Sequence, residues 1–557
     1  MRSLSFLVVT LVACAGTQED PVKPATPDVA AKAPAKRAAS SDVSFEIPVL
    51  EIKGAVLEPD ALHDAGTPRV DPKKPIPDDK IGSPVWVAAV TKQRALVVST
   101  KDLLVKQAQV AVLATLLYRE SRTVKDKDKE KALLTEARQT LRDVAQQVGD
   151  KAVDELTLLL LASYELQLED YASAEKAWQL LLDKDPKNKD VATYRAWLAF
   201  SRLKQFKNAE ALATISGDKL DEKAPELAYV IAWAKWRNND LAGAWQAMST
   251  AARGWGQNTK RDELEQNVLT FAGRGNVSLD DAGTLLTALA RAKAQLMVKP
   301  PYEMQAYELF AKLGLSGYGL IGRWADGVAA LDKAAKLAAD QVPPNDRLVI
   351  RYSQADFTVR LDTPDVAATY AKQAIDAIGK CDARCTAKDK ADIVQGVYLM
   401  GRLFHILYAT ANDHRYYEPA HDLYAMTIPL LADPALQAQA QKDAKILETT
   451  LKNTKVGTGT HDKGAIGALL ARHTPEVQAC YEAQLSANPK LGGTITVNLE
   501  SDATGAIKGA STEPKAGLTD LSAVASCLVE RAKQWKLPKR GMAGNTRIKA
   551  SYTFTRK

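Results

Sequence analysis

Apolar residues along the chain follow three different spacings. From about residue 84 to residue 452 they return every three or four positions, as at Leu134, Ala137, Leu141, Val144 and Val148. That period predicts amphipathic helices. Tyr171-x-x-Ala174, Phe206-x-x-Ala209 and Leu241-x-x-Ala244 recur every 35 residues, which predicts stacked helix pairs. Trp324-x-x-Gly327 and Tyr417-x-x-Ala420-x-x-x-Tyr424 extend the series, and about five to seven helical hairpins are expected.

After residue 465 the spacing changes. Ala465 to Ala487 keeps a helical period through Ile466, Leu469, Leu470, Val477 and Leu485. Thr494 to Leu499 alternates, Asp502-Ala503-Thr504-Gly505 marks a turn, and Ala506 to Ala510 returns as the second arm of a hairpin. Leu521 to Lys533, opened by Thr519-Asp520, reads as a second helix. Thr546 to Phe554 alternates again, through Ile548, Ala550, Tyr552 and Phe554. Helix, hairpin, helix, strand predicts a three-stranded antiparallel sheet with two helices. The expected fold class is mainly α, a helical solenoid followed by a small α+β domain at 465–557. Residues 453–464 read as a joint between them.

Residues 15–83 follow neither period. They hold ten of the chain's 25 prolines among Ala, Lys and Asp, a composition that predicts a tether. Its ends would lie ~45 Å apart as a coil and up to ~200 Å apart as polyproline II. One island differs: Val43, Phe45, Ile47 and Val49 alternate like a strand. It either packs on the helical body, packs on nothing, or is donated to a partner's sheet.

Composition narrows the class. The chain has 557 residues, 46% hydrophobic and 25% charged, a globular balance. The net charge of +7 is too mild for a nucleic-acid binder. No apolar run reaches the ~18 residues that a membrane-spanning helix needs. Residues 1–14, MRSLSFLVVTLVAC, join Arg2 to a short apolar stretch and end in Leu-Val-Ala-Cys. This resembles the bacterial lipoprotein signal, in which cleavage before the cysteine frees it to carry the lipid. The resemblance implies lipidation of Cys14, and Ala15 after it favours the outer membrane over the inner. Setting Cys14 aside leaves four cysteines, spaced as two plausible pairs, Cys381 with Cys385 and Cys480 with Cys527. An oxidising periplasm permits both. For Cys381 and Cys385 a small disulfide at a hairpin turn is expected, with free thiols the alternative.

Candidate chemistry is sparse. Gly317-Tyr-Gly319-Leu-Ile-Gly322 matches a dinucleotide fingerprint but lies among helical segments instead of after a strand, so close helix packing is expected there. The six histidines (His63, His405, His414, His421, His461 and His473) show no zinc-protease or Cys/His spacing. No cofactor, metal or catalytic group is expected.

Two further resemblances shape the reading. Ala174, Trp178, Leu181 and Pro186 resemble the second helix of a tetratricopeptide repeat (TPR). The last domain resembles the TonB-like C-terminal domain of myxobacterial adventurous-gliding and related envelope proteins, the AgmX/PglI type. The residues that carry this are Cys480-Tyr481, Leu485, Pro489-x-Leu491-x-Gly493, Ile495/Val497/Leu499, Gly505-x-Ile507, Val524-x-x-Cys527, Trp535-x-Leu537-Pro538 and Tyr552-x-Phe554. It implies a disulfide between Cys480 and Cys527 on the two helices, and docking by strand pairing. A final strand at the sheet edge would offer its backbone around Ile548, Tyr552 and Phe554 to a partner. Arg531, Lys533, Lys536, Lys539 and Arg540 begin a stretch to Lys557 with nine basic and no acidic residues, a candidate surface for acidic partners.

The expected protein is a periplasmic scaffold on the outer membrane, anchored by its lipid and binding envelope proteins through its repeats and last domain. Peptidoglycan and an outer-membrane β-barrel are further candidate partners. The competing readings are a cell-wall-binding lipoprotein and a transport-coupling component.

Overall fold

The computed structural model describes residues 42–59, 80–255, 261–296, 302–338, 341–381, 385–411, 413–453, 463–514, 521–537 and 544–557. Residues 1–14 with Cys14, where a signal is expected, most of the 453–464 joint, Thr519-Asp520, Lys539 and Arg540 lie outside the described residues. The chain is mainly helical, with 21 α-helices and one sheet among the described residues.

Short polar side chains start the helices. Ser83 accepts a hydrogen bond from the Trp86 amide ahead of a proline at position 84. Asp102, Asp126, Asp154, Asp170 and Asp240 each accept from amides of the first turn that follows. Each satisfies a donor that the helix itself leaves unpaired.

A single kind of turn recurs between helices of a pair. At Glu169, Phe206, Asn239, Asn276, Gly322 and Asp362 the backbone takes positive φ. In each case the next residue's amide bonds back five positions, as in Asp170 to Glu165 (2.9 Å), Lys207 to Arg202 (2.9 Å) and Arg323 to Tyr318 (3.0 Å). This is the Schellman closure, which satisfies the last carbonyls of one helix and reverses the chain into the next. The 35-residue signal belongs to this turn. Tyr171 and Leu241 open second helices, whereas Phe206 is itself the left-handed turn residue.

The glycine-rich stretch is a packing device. A Cβ on Gly273 would lie 2.1 Å from the Gly317 carbonyl oxygen, and one on Gly319 would lie 2.4 Å from the Phe357 ring. Backbones touch there at a distance that no side chain allows. In the same stack Ala174, Trp178 and Leu181 are buried.

The sheet corrects the expected topology. Four strands are present: β1 (Val43–Gly54), β2 (Gly493–Ser501), β3 (Ile507–Pro514) and β4 (Thr546–Arg556). Their order is β1-β4-β2-β3. β2 runs antiparallel to β3 and β4, but β1 pairs with β4 in parallel, so the sheet is mixed. The fourth strand is the island in the tether. Its register places Phe45 beside Ile548, Ile47 beside Ala550 and Ile52 beside Phe554. A register shift falls between Ile47 and Leu50, at Pro48, which has no amide to give a ladder. The extra residue moves the inward face from Phe45 and Ile47 to Leu50, Ile52 and Gly54, and leaves Val49 exposed.

The first helix of this domain also differs from expectation. Pro475 divides it into Lys463–Arg472 and Thr474–Leu485, and itself occupies the first turn of the second piece. The core beneath the sheet combines Ile52 with Val477, Tyr481, Leu485, Ile495, Val497, Val524, Leu528, Trp535 and Phe554.

Candidate functional site

The residues proposed for partner docking fall into two groups. Ile548, Tyr552 and Phe554 are all 2% exposed or less and belong to the core. β4 is not an edge strand, because β2 takes one side and β1 the other. The backbone expected to receive a partner's strand already holds a strand of the same chain.

The basic residues lie apart from that edge. Lys533 and Lys536 are exposed and Arg531 is half-buried. Much of the nearby charge is countered locally. Lys533 pairs with Glu530 (2.7 Å), Lys508 with Asp502 (3.1 Å), Lys549 with Glu513 (3.9 Å), and Arg547 with both Asp42 (3.5 Å) and Glu500 (3.8 Å). The Asp502 carboxyl is held down to about 2, mainly by the Thr504 hydroxyl, with Lys508 adding to it.

Beyond β1 the chain acts as a strap. Gly54 packs so closely on Tyr481 that a Cβ would meet its ring at 2.6 Å. The Ala55 amide donates to Glu482 Oε1 (3.2 Å). Glu58 pairs with Lys204 (2.7 Å), and the Leu57 carbonyl accepts from Arg237 Nη2 (3.3 Å). Arg237 is 2% exposed and lies over the Phe206 ring at 4.6 Å. Burial pushes its guanidinium down to about 10. A strand from the tether thus ends against the turn between two helices of the body.

Strap, body and terminal domain meet at two buried carboxylates. Glu476 accepts from Trp324 Nε1 of the body (3.3 Å) and from Trp535 Nε1 of its own domain (2.7 Å), and lies 3.1 Å from His473 Nδ1. His473 stacks on Trp535 at 4.5 Å. Gly322 closes the contact, since a Cβ there would lie 2.2 Å from Glu476 Cγ. Glu482 takes a salt bridge from Arg274 of the body, besides its bonds to Ala55 and Gln478. Arg360 lies over Trp324 at 4.6 Å and donates to the Arg472 carbonyl (3.1 Å). Burial lowers the proton affinity of the Arg472 guanidinium. A buried charge is stable when it is paired, and the Glu482–Arg274 pair, with the Trp324 bond to Glu476, joins the terminal domain to the body. Sequence reasoning missed both glutamates. Apart from Pro475 beside Glu476, nothing in their neighbourhood separates them from surface carboxylates.

The four cysteines of the described residues form two pairs. Cys381 faces Cys385 with Cα atoms 5.8 Å apart, and Cys480 faces Cys527 at 5.7 Å, each pair at disulfide distance. Glu418, His421 and Asp422 bring three possible ligand atoms within 4.8 Å of one another. Within it His421 lies 3.7 Å from Asp422 and stacks on Tyr417 (6.1 Å). Among the described residues no helix is long and apolar enough to cross a membrane. No protein-family model matches the chain, and no curated protein does.

Proposed function

We propose that this chain is an exported, lipid-anchored scaffold. In this reading Cys14 carries the anchor, a TPR-like solenoid collects protein partners, and a TonB-like domain of the AgmX/PglI type secures the tether to the solenoid. Its setting is an envelope-spanning complex on the periplasmic face of the outer membrane, gliding-motility machinery being the candidate assembly. The observation that carries the reading is the division of the cysteines. Four of five sit in two bonded pairs, a state suited to an oxidising compartment. The fifth is Cys14, at the end of the signal-like segment. The six repeated turns support an array of similar helix pairs.

The test is affinity capture of the full chain from crosslinked cells of its source. Recovery of a reproducible set of exported envelope proteins is expected. Recovery of cytosolic proteins alone would overturn the proposal. Retention by purified peptidoglycan without any protein partner would favour a cell-wall-binding role instead.

A further inference from the structure

The beginning of the helical body carries an uncovered apolar surface. Helix Pro84–Ser99 and helix Leu103–Ser121 form a hairpin whose turn lies at Thr100–Asp102. Among the described residues, 15 large apolar side chains are exposed, and eight of them fall between residues 85 and 112. Val98 (84% exposed), Leu104 (68%), Val105, Leu96 and Leu103 cluster around the turn. The first helix, PVWVAAVTKQRALVVS, is apolar around most of its circumference, yet only Trp86 and Val90 are buried. A helix of that composition is ordinarily covered on every side, and a patch of this kind marks an interaction site.

Charge and composition select what covers it. Lys92, Lys101 and Lys106 flank the turn in sequence, while Arg94 is held by Glu136 (2.7 Å); the acidic residue at the turn, Asp102, caps the second helix with its carboxylate. A symmetric pairing of two copies through this surface would bring like charges together. The patch offers Val and Leu, not the exposed Trp or Tyr anchors that dominate protein interfaces, and its one arginine, Arg94, is already paired with Glu136. Residues 60–79, the neighbouring part of the chain, supply a single Leu, Val and Ile among charged residues and prolines, too little to match it. Short aliphatic side chains at an exposed turn, with Lys92, Lys101 and Lys106 close in sequence and able to lay their stems along apolar surface, fit the headgroup boundary of a lipid bilayer.

We infer that the 84–121 hairpin dips its turn into an anionic lipid surface, Val98, Leu104 and Val105 entering the acyl boundary while Lys92 and Lys101 meet the headgroups. This deepens the proposed anchoring by giving the helical body a membrane-facing end. It rests on that reading for its setting, but its test requires no lipid on Cys14, so either can fail alone.

Flotation of the chain 15–557, which keeps every described residue and lacks Cys14, tests it. The protein is expected to rise with phosphatidylethanolamine/phosphatidylglycerol vesicles. The double variant Val98→Asp/Leu104→Asp is expected to lose about tenfold or more of that binding, with an unchanged melting temperature because both side chains are exposed. Lys92→Glu/Lys101→Glu is expected to weaken binding to phosphatidylglycerol vesicles while leaving binding to phosphatidylcholine vesicles unchanged. Failure of the unmodified chain to float, or equal flotation of the Asp variant, would overturn the inference. So would a dimer in sedimentation that Val98→Asp/Leu104→Asp dissolves without any vesicle binding, which would assign the patch to a second copy.

Discussion

Ile52→Asp is expected to release the tether strand from the sheet and so expose the β4 edge. Ile52 is 2% exposed, pairs in register with Phe554 and belongs to the core beneath the sheet. Losing its burial removes about 2–3 kcal/mol, and a carboxylate in its place adds a desolvation cost of several kcal/mol. The chain escapes that cost by undocking β1, because β2, β3 and β4 still form an antiparallel sheet without it. Hydrogen exchange followed by mass spectrometry should then show lost protection over 43–54 and along 546–556, with 493–501 still protected. Unchanged protection over 43–54 would mean that β1 does not depend on the Ile52 contact.

The second large effect concerns the disulfide between Cys480 and Cys527. It closes a loop of 47 residues, for which the chain-entropy estimate gives about 4 kcal/mol. The bond ties helix Thr474–Leu485, which carries Glu476 and Glu482, to helix Ser522–Ala532. Replacing both cysteines by alanine is therefore expected to destabilise the terminal domain by about 4 kcal/mol. The same replacement at Cys381 and Cys385, separated by four residues, should cost about 2 kcal/mol. Denaturant unfolding of the two double variants, followed by tryptophan fluorescence and by backbone circular dichroism, measures both. Equal losses would show that loop closure does not govern these bonds.

What could be read from the chain follows the range of the interactions. The helical period of 84–452 is local, and helices occupy that stretch. Asn239, Asn276, Gly322 and Asp362 are residue types that tolerate positive φ. Glu169 and Phe206 take the same conformation without that signal. The alternation at Val43, Phe45 and Ile47 marked a strand, but its neighbour lies about 500 residues further on, and no local pattern names it. Strand order eluded the reading for the same reason, so β4 was expected at an edge that β1 fills. Pro48 was visible, yet the shift it makes in the inward face needs the register to be seen. Glu476 and Glu482 look like solvent-facing carboxylates until Trp324, Trp535 and Arg274 are brought to them.

These contacts also change the tether. Its strand is fixed to the terminal sheet, Ala55 bonds to Glu482 of the terminal domain, and Leu57 and Glu58 meet the helical body. Under the anchoring proposed at Cys14, the stretch from Cys14 to Val43 sets the distance between the lipid and the folded parts. Fully extended it spans at most ~100 Å, about half the ~200 Å reach of the uninterrupted tether.

Mass spectrometry of the mature N-terminus, on protein isolated from fractionated cells grown with an alkyne-bearing fatty acid, tests the anchored-scaffold proposal most directly. The expected result is a chain that begins at Cys14, carries the labelled acyl groups and sediments with membranes, with the label absent after Cys14→Ala. An unlabelled chain that still begins at Met1 and remains in the cytosolic fraction would contradict it.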